Sequence, residues 1–509
     1  MSESHAASAA ADPASGPEGS ESTTLTVGTI FLTLRLDGLN IYEDGGSPDR
    51  RETRFCGVPI TKPTVAMTIP YYNVLWISAE NEQLVIDYAA EKSKGNVHHA
   101  RLKYSLDSVP IFKTQPFIAG LLNRVYSQVP RQRRAKVLIN PHAGPGGATR
   151  LWENDVKPIF EAARMTLDVI TTSRSGEGID ICEALDIDAY DVVVICSGDG
   201  LAYEAFNGFG KRPDARSALQ KVAIAHIPCG SGNAMSCNLN GSNAAGASAL
   251  AVVKGVRTPM DLMTVTQGDR RMLSFLSQSV GIIAEADLGT ENMRWLGAKR
   301  FDLGVAQRIF SKKVYPCDIA VKVELENKDE IKAHYKRIQS DEEGKNNDEP
   351  SLSSVSRPDA AEGLPPLRFG TVNDQLPEDW QVASHDKLGN FYCGNMAWVA
   401  PSANFFPAAC INDGLMDLVT NDGDIPILKY IDLMTSVENE SFFDKKLLSY
   451  RKIVAYRFTP RNQTDGYISI DGERIPFAPF QVEIHPGLGT VLSKSGRYES
   501  FGPPKWRDA

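Results

Sequence analysis

The chain has 509 residues, too many for one hydrophobic core, and the length prior points to about three domains. Its net charge of −9 argues against nucleic acid as a partner, because phosphate backbones require a basic face, so any anion site has to be local. The 42% hydrophobic content supports sizeable cores, and the eight cysteines contain no Cys-x-x-Cys pair, which implies a reducing compartment without a disulfide framework or zinc site.

Residues 1–24, rich in Ser, Ala, Gly, Pro and Glu, read as disordered and lack the basic and apolar regions of a signal peptide. No apolar run reaches the roughly 18 residues of a membrane span, so the expectation is a soluble, cytoplasmic protein touching membranes only peripherally. Over 25–115 the pattern alternates, with Ile30, Leu32, Leu34 and Leu36 on one side, and strand-like runs follow at 64–69, 73–78, 83–88 and 99–105. This reads as a small β-rich module acting as a scaffold, with a regulatory or membrane-docking role as the alternative. Helical spacing at Phe117 to Tyr126 then leads into Arg131, Arg133, Arg134 and Lys136, read as a solvated linker, with contact to anionic lipid headgroups as the alternative.

From Ala135 the grammar becomes strand, glycine loop, helix. Val137-Leu138-Ile139 runs into Asn140 to Ala148 and a helix from Thr149 to Arg164, then Leu167 to Thr172 forms a strand and Gly178 to Leu185 a helix. Asp191 to Cys196 is β-branched and too short for a helix, which marks a parallel strand buried on both faces. It stops at Ser197-Gly198-Asp199-Gly200, and a helix follows through Leu201 to Gly208. A fourth strand, Val222 to Pro228, ends in Cys229-Gly230-Ser231-Gly232-Asn233. Such β-α repetition predicts a doubly wound α/β domain over 131–257 with three glycine loops on one sheet edge. Ligands of open α/β sheets sit at that edge, where glycines admit a phosphate to backbone N–H groups.

Beyond Met260 alternating segments replace the helices, among them Ile319 to Leu325, Met396 to Val399, Val454 to Phe458 and Gln481 to Ile484. A mostly antiparallel β domain is expected over 258–500, with one amphipathic helix near 426–436. A polar stretch at 327–386 interrupts it and reads mainly as a disordered insertion, only its flanks being able to hold structure.

The loops match neither the Gly-x-x-x-x-Gly-Lys-Ser/Thr loop of common NTPases nor the Gly-x-Gly-x-x-Gly dinucleotide turn. Taken together, Asn140-Pro141…Gly144-x-Gly146, Ser197-Gly198-Asp199-Gly200-x-x-x-Glu204-x-x-Asn207-Gly208 and Pro228-x-Gly230-Ser231-Gly232-Asn233 resemble the diacylglycerol-kinase-type catalytic domain. That resemblance implies an α/β nucleotide-binding domain followed by a β-sandwich, with ATP and Mg2+ between them. The segment Gly281 to Phe301 is similar to one peculiar to sphingosine kinases, and the pattern from Val137 to Glu473 resembles fungal-type sphingoid long-chain base kinases. Two departures stand out: His142-Ala143 replaces the usual basic-Gly pair, and Gly147 stands where some members have Lys.

By this resemblance Asp287 meets the substrate's polar head, while Arg294 and Arg300 reach the nucleotide phosphates. The chemistry agrees, since a sphingoid base carries an ammonium that a desolvated carboxylate pairs with. Gly144, Gly146, Gly230, Ser231 and Gly232 are expected to cradle phosphates. Asn140, Pro141, Thr172, Arg174, Ser197, Gly198, Gly200, Glu204 and Asn233 fall in the same nucleotide motifs. Asp199 is the candidate general base with Glu473 in reserve, and Asp471 a nucleotide or magnesium-water contact. No protein metal-ligand set is expected. Asp413-Gly414-Leu415-Met416-Asp417 follows the family's Asp-Gly-x-x-Asp pattern, but equally fits an ordinary Asp-Gly turn. The implied partners are a sphingoid base, ATP and an intracellular or plasma membrane surface. A ceramide or diacylglycerol kinase, or a lipid-binding pseudokinase, remains an alternative, and a homodimer stays open.

Overall fold

The computed structural model describes residues 24–43, 54–55, 58–59, 64–107, 109–289, 313–345, 363–500, 502–503 and 506. They form two compact units, one of residues up to Tyr88 with Arg101–Ser127, the other of Ala89–Ala100 with the chain from Gln128 onward. Residues 1–23 lie outside the described residues.

The first unit holds a four-stranded antiparallel sheet in the order Thr24–Val27, Ile30–Leu34, Gly38–Glu43, Thr64–Pro70. Val74–Glu80, Gln83–Ser93 and Asn96–Ser105 make a second sheet, the latter two strands continuing beyond the unit, and the helix Ile111–Val125 follows. Leu25, Leu32, Leu34, Leu39, Leu75, Ile77 and Leu84 of the strands and Phe117 and Leu121 of the helix are buried, whereas Leu36, expected on the same side as Leu32 and Leu34, lies beyond the strand's end and is exposed.

In the second unit β1 (Arg134–Ile139), β2 (Thr166–Thr171), β3 (Val192–Ser197) and β4 (Ala223–Pro228) pair in parallel, in the order β2-β1-β3-β4. Every residue of β3 and β4 is buried, so their continuous apolar runs have no solvent face. The chain leaves β1 toward β2 on one side and returns as β3 on the other. The carboxyl ends of β1 and β3 therefore flank a topological switch point, where diverging loops open a crevice.

The boundary expected at 257/258 does not separate two domains. Strand β5 (Val256–Gln267) crosses it and pairs antiparallel with β17 (Phe480–Ser493), from Val256 opposite Ser493 to Thr266 opposite Gln481. β17 also meets β4 in parallel at Ile224 and Val491. Pairing thus runs without a break into β14 (Ser449–Pro460), β13 (Met416–Asp422), β10 (Leu388–Gly394), β7 (Ser277–Gly281), β15 (Ile468–Ile470) and β16 (Glu473–Ile475), within one 15-stranded sheet. Local periodicity cannot reveal this, because the joining partners are more than 200 residues apart in sequence. The antiparallel half encloses its own core of Val265, Phe391, Tyr456 and Val482.

One further expectation holds and another changes. The flanks of the stretch 327–386 hold structure, a helix α7 (Lys328–Lys345) and β9 (Gln381–His385), which pairs with β8 (Cys317–Leu325), while 346–362 lie outside the described residues. Ile331 and Tyr335, one turn apart, are buried on α7, and composition averaged over the whole stretch hides that stripe. Arg133, expected in a solvated linker, is buried and donates to the carbonyls of Val252 (2.7 Å), Val253 (3.0 Å) and Gly255 (2.5 Å). Its guanidinium satisfies carbonyls left open at the end of helix α5 (Ala245–Lys254).

Candidate active site

The loops after β1, β3 and β4 are packed backbone on backbone. Gly144 has φ +53°, and a Cβ there would lie 2.8 Å from the Cys229 carbonyl oxygen. At Gly230 a Cβ would lie 2.4 Å from Gly198 Cα. These glycines are thus required by the contact of the loops with one another, before any phosphate is considered. Asn233, at φ +56°, clamps the third loop: its side chain accepts from Gly230 N (2.8 Å) and donates to Gly230 O (2.9 Å) and to Asn243 (2.8 Å).

Asp199 opens helix α2 (Asp199–Gly210), but its carboxylate serves a different helix. Its oxygens accept from Ala234 N (2.9 Å) and Met235 N (3.0 Å) at the start of α4 (Ala234–Asn240). An ionised carboxylate has about four lone-pair sites, so acceptor capacity remains. Glu204, one turn further along α2, accepts from Gly176 N (2.8 Å) and Gly178 N (2.9 Å) and holds the loop that begins α1 (Glu177–Glu183). In that loop Glu177 accepts from Ser173 N (2.5 Å) and Arg174 N (3.3 Å), while the Arg174 side chain pairs with Asp180.

One cavity of about 830 Å3 joins these loops to the antiparallel half. Of the residues expected at the site, Asn140, Gly144, Thr172, Arg174, Ser197, Gly198, Asp199, Gly200, Glu204, Gly230, Ser231, Gly232, Asp287, Asp471 and Glu473 line it. Pro141, Gly146 and Asn233 do not, and Arg294 and Arg300 lie outside the described residues. A run of close neighbours crosses the cavity: Cβ positions built at Gly232, Gly200 and Gly472 fall 3.1 Å from Asp199 Oδ2, 3.3 Å from Glu473 Oε1 and 3.9 Å from Asp287 Oδ2. Asp287 sits in helix α6 (Ile282–Leu288), and Ser469 Oγ donates to it at 3.4 Å.

Asp471 borders the cavity, yet both its oxygens serve the protein. They accept from Ser274 Oγ (2.6 Å), Phe275 N (2.8 Å), Leu276 N (3.0 Å) and Ser277 N (2.8 Å). Burial outweighs those bonds and raises its pKa to about 6. With φ +52° at Asp471 and +88° at Gly472, the turn aims Glu473 at the cavity. Asp413 and Asp417 are not among the lining residues. They are buried around Lys452, whose Nζ stands 3.0 Å from Asp413 and 3.1 Å from Asp417. Asp413 also meets His334 of α7 at 2.9 Å, and Asp417 accepts from Tyr450 at 2.6 Å.

The remaining lining was not singled out from sequence as part of a site. Val399, Ala400, Ala403 and Phe405 come from or adjoin the hairpin of β11 (Trp398–Ala400) and β12 (Ala403–Asn404), and Ile431, Met434 and Val437 from α8 (Ile427–Glu438). Asn238 of α4 fastens the hairpin, accepting from Trp398 N (3.0 Å) and donating to Trp398 O (2.7 Å). The one signal available was the amphipathic period of 426–436. His142 and Ala143, where the sequence departs from the family pattern, also line the cavity.

Residues 134–265 match the family model for the diacylglycerol kinase catalytic domain, and 22–127 match Domain of unknown function (DUF7493). The chain is 35% identical to sphingoid long chain base kinase 5 of Saccharomyces cerevisiae over 75% of its own length and 62% of that protein's. It therefore spans less than two thirds of that relative. It is 34% identical to sphingoid long chain base kinase 4 of Schizosaccharomyces pombe over 87% of this chain and 91% of that one. Human sphingosine kinase 1 is 27% identical over 74% of this chain and 94% of its own. A solved diacylglycerol kinase from Bacillus anthracis superposes with a TM-score of 0.48 at 16% identity, covering 71% of this chain and 97% of that one. With both yeasts supplying relatives above 30% identity, one of them matched nearly end to end, the chain belongs to the sphingoid long-chain base kinase family of lipid phosphotransferases.

Proposed function

We propose that the chain transfers the γ-phosphoryl group of ATP to the primary hydroxyl of a sphingoid base: sphingosine, dihydrosphingosine or phytosphingosine. The observation that carries this reading is one cavity whose lining holds the glycine loops, the carboxylates of Asp199, Asp287 and Glu473 and an apolar wall together. ATP's phosphates fit against the N–H groups of Gly144, Ser231 and Gly232, with Asn140, Thr172, Arg174, Ser197, Gly198 and Gly200 around them; Gly230, whose N–H is held by Asn233, acts with Asn233 and Gly146 by shaping the loops. Arg294 and Arg300 are proposed to meet the same phosphates. Phosphoryl transfer depends mainly on positioning and charge stabilisation. Asp199 and Glu473 offer carboxylate oxygens beside Gly200, a donor set that fits magnesium carried on the nucleotide. When bound, the ion neutralises charge across the phosphates.

Asp199 accepts the proton of the attacking hydroxyl, oriented for this by its two bonds to α4, and Glu473 is the alternative base. Asp287 pairs with the ammonium of the base, and the wall from α8 and the β11–β12 hairpin takes the alkyl chain. Among the described residues no helix is long and apolar enough to cross a membrane, and we assign the enzyme a peripheral position on intracellular or plasma membranes.

Asp199→Asn should lower turnover by about 10²–10⁴-fold, the usual contribution of a general base, while ATP binding measured by calorimetry persists. Unchanged turnover, with loss in Glu473→Gln, would move the role to Glu473. Offered sphingoid bases, ceramide and diacylglycerol with labelled ATP, the enzyme should prefer the cationic lipids, and Asp287→Ala should erase that preference.

A further inference from the structure

Helix α8 has two solvent-accessible aspects with different chemistry. Its inner face is buried through Tyr430, Leu433, Ser436 and Val437, and Ile431, Met434 and Thr435 line the cavity. Its outer aspect leaves Leu428 81% and Ile431 44% exposed, three residues apart and hence on one side. Nearby, Lys445 Nζ binds Asp432 of the helix at 2.7 Å, which brings the segment Lys445-Lys446-Leu447 to the helix, and Leu447 is 41% exposed. Among the described residues of the second unit, Leu428, Ile431 and Leu447 are three of five exposed large apolar side chains, the others being Val169 and Val382. Such clustering marks a contact surface rather than chance exposure.

The occupant follows from continuity. Ile431 belongs to the exposed patch and to the cavity lining, so the patch and the apolar wall are one surface. The geometry points to a lipid bilayer as the partner of this face: Leu428, Ile431 and Leu447 enter the acyl boundary, and the substrate's chain passes into the cavity along Ile431 and Met434 without crossing water. This rests on the lipid-kinase reading of the cavity. A chain leaving a bilayer through water is disfavoured about fourfold per exposed methylene, which makes a continuous apolar route consequential. Charge is not the attraction, since Lys429, Lys445 and Lys446 are offset locally by Asp432, Glu438 and Asp444.

The test uses the full chain with phosphatidylcholine vesicles, with and without embedded sphingosine. Wild type should float with the vesicles, and should still do so in 1 M salt, where the Debye length is about 3 Å. The double variant Leu428→Glu, Leu447→Glu should lose vesicle binding at least tenfold and lose turnover of vesicle-embedded sphingosine in proportion. Its melting temperature and its turnover of a short-chain, water-soluble sphingoid base should match wild type, and Leu428→Phe should retain binding. Unaltered flotation of the double variant overturns the proposal. So does wild-type flotation that vanishes at high salt, or a change in the double variant's oligomeric state in place of its vesicle binding. Absence of turnover by wild type on every lipid would instead sink the kinase reading, while flotation still decides the docking face.

Discussion

Two Asp-Gly turns in the antiparallel half, Asp413-Gly414 and Asp471-Gly472, begin with the same dipeptide and end with different duties. At Asp413 the carboxylate joins Asp417, Lys452 and His334 in a buried ion cluster apart from the cavity. Gly414 N donates to the buried Asp261 (2.6 Å), which also accepts from Gly487 N (2.6 Å) and whose pKa burial raises to about 7. At Asp471 four donors from 274–277 take up the carboxylate, and the turn is left presenting Glu473 beside Gly200. One turn cements the sheet, the other aims a side chain. The dipeptide is the same in both, but only Asp471 joins its glycine at positive φ, and the partners brought by distant strands separate the two turns further.

The contrast breaks most visibly at Lys452. Lys452→Met leaves Asp413 and Asp417 buried without their cation, and losing one partner of a buried pair costs about 3–5 kcal/mol. Urea unfolding should show that loss at pH 8 and a smaller one at pH 5, because protonation discharges the stranded carboxylates; burial already raises the Asp417 pKa to about 6. Turnover per folded molecule should be little changed. Comparable loss at both pH values would mean that the cluster is not held by charge.

Asp471→Asn should have an intermediate effect. It replaces one of two acceptor oxygens by an NH2 donor that faces donors, and a buried polar group left unsatisfied costs about 1–3 kcal/mol. Its pH signature has a definite sign. With the folded pKa raised to about 6 from an unfolded value near 3.9, the folded state binds the extra proton between them, so Asp471's contribution to stability falls as pH rises from about 4 to 6. The variant should lack that slope in denaturation measured across the interval.

Glu473→Gln should perturb stability least, within about 0.5 kcal/mol, because it lies in the exposed part of the turn. Its effect belongs in turnover, and a drop there without a change in melting would sharpen the distinction between the two turns. A melting loss as large as that of Asp471→Asn would abolish it.

Much of the polar end of the cavity was legible in the chain. Strand, glycine loop and helix follow one another locally, so the buried runs of β1, β3 and β4 place Asn140, Asp199 and Ser231 at one sheet edge whatever happens elsewhere. The glycines were read for their closeness to a ligand, whereas Gly144 and Gly230 are first required by the closeness of the loops to each other. Arg133 was misread for a related reason: a basic run looks solvated until the carbonyls it serves come into view.

By itself the sequence determined the α/β grammar, the three loops at the switch point, the amphipathic helix that became α8, and the resemblance that the yeast relatives bear out. All of these depend on neighbours within a few tens of residues, where side-chain period and turn chemistry act directly. Only the tertiary structure decided that the two halves share one sheet, that Asp199 caps α4, that Asp413 belongs to an ion cluster, and that α8 and the hairpin at 398–404 wall one cavity with the glycine loops. Each of those depends on a partner far away in the chain, chosen by burial and hydrogen-bond satisfaction that no local pattern encodes.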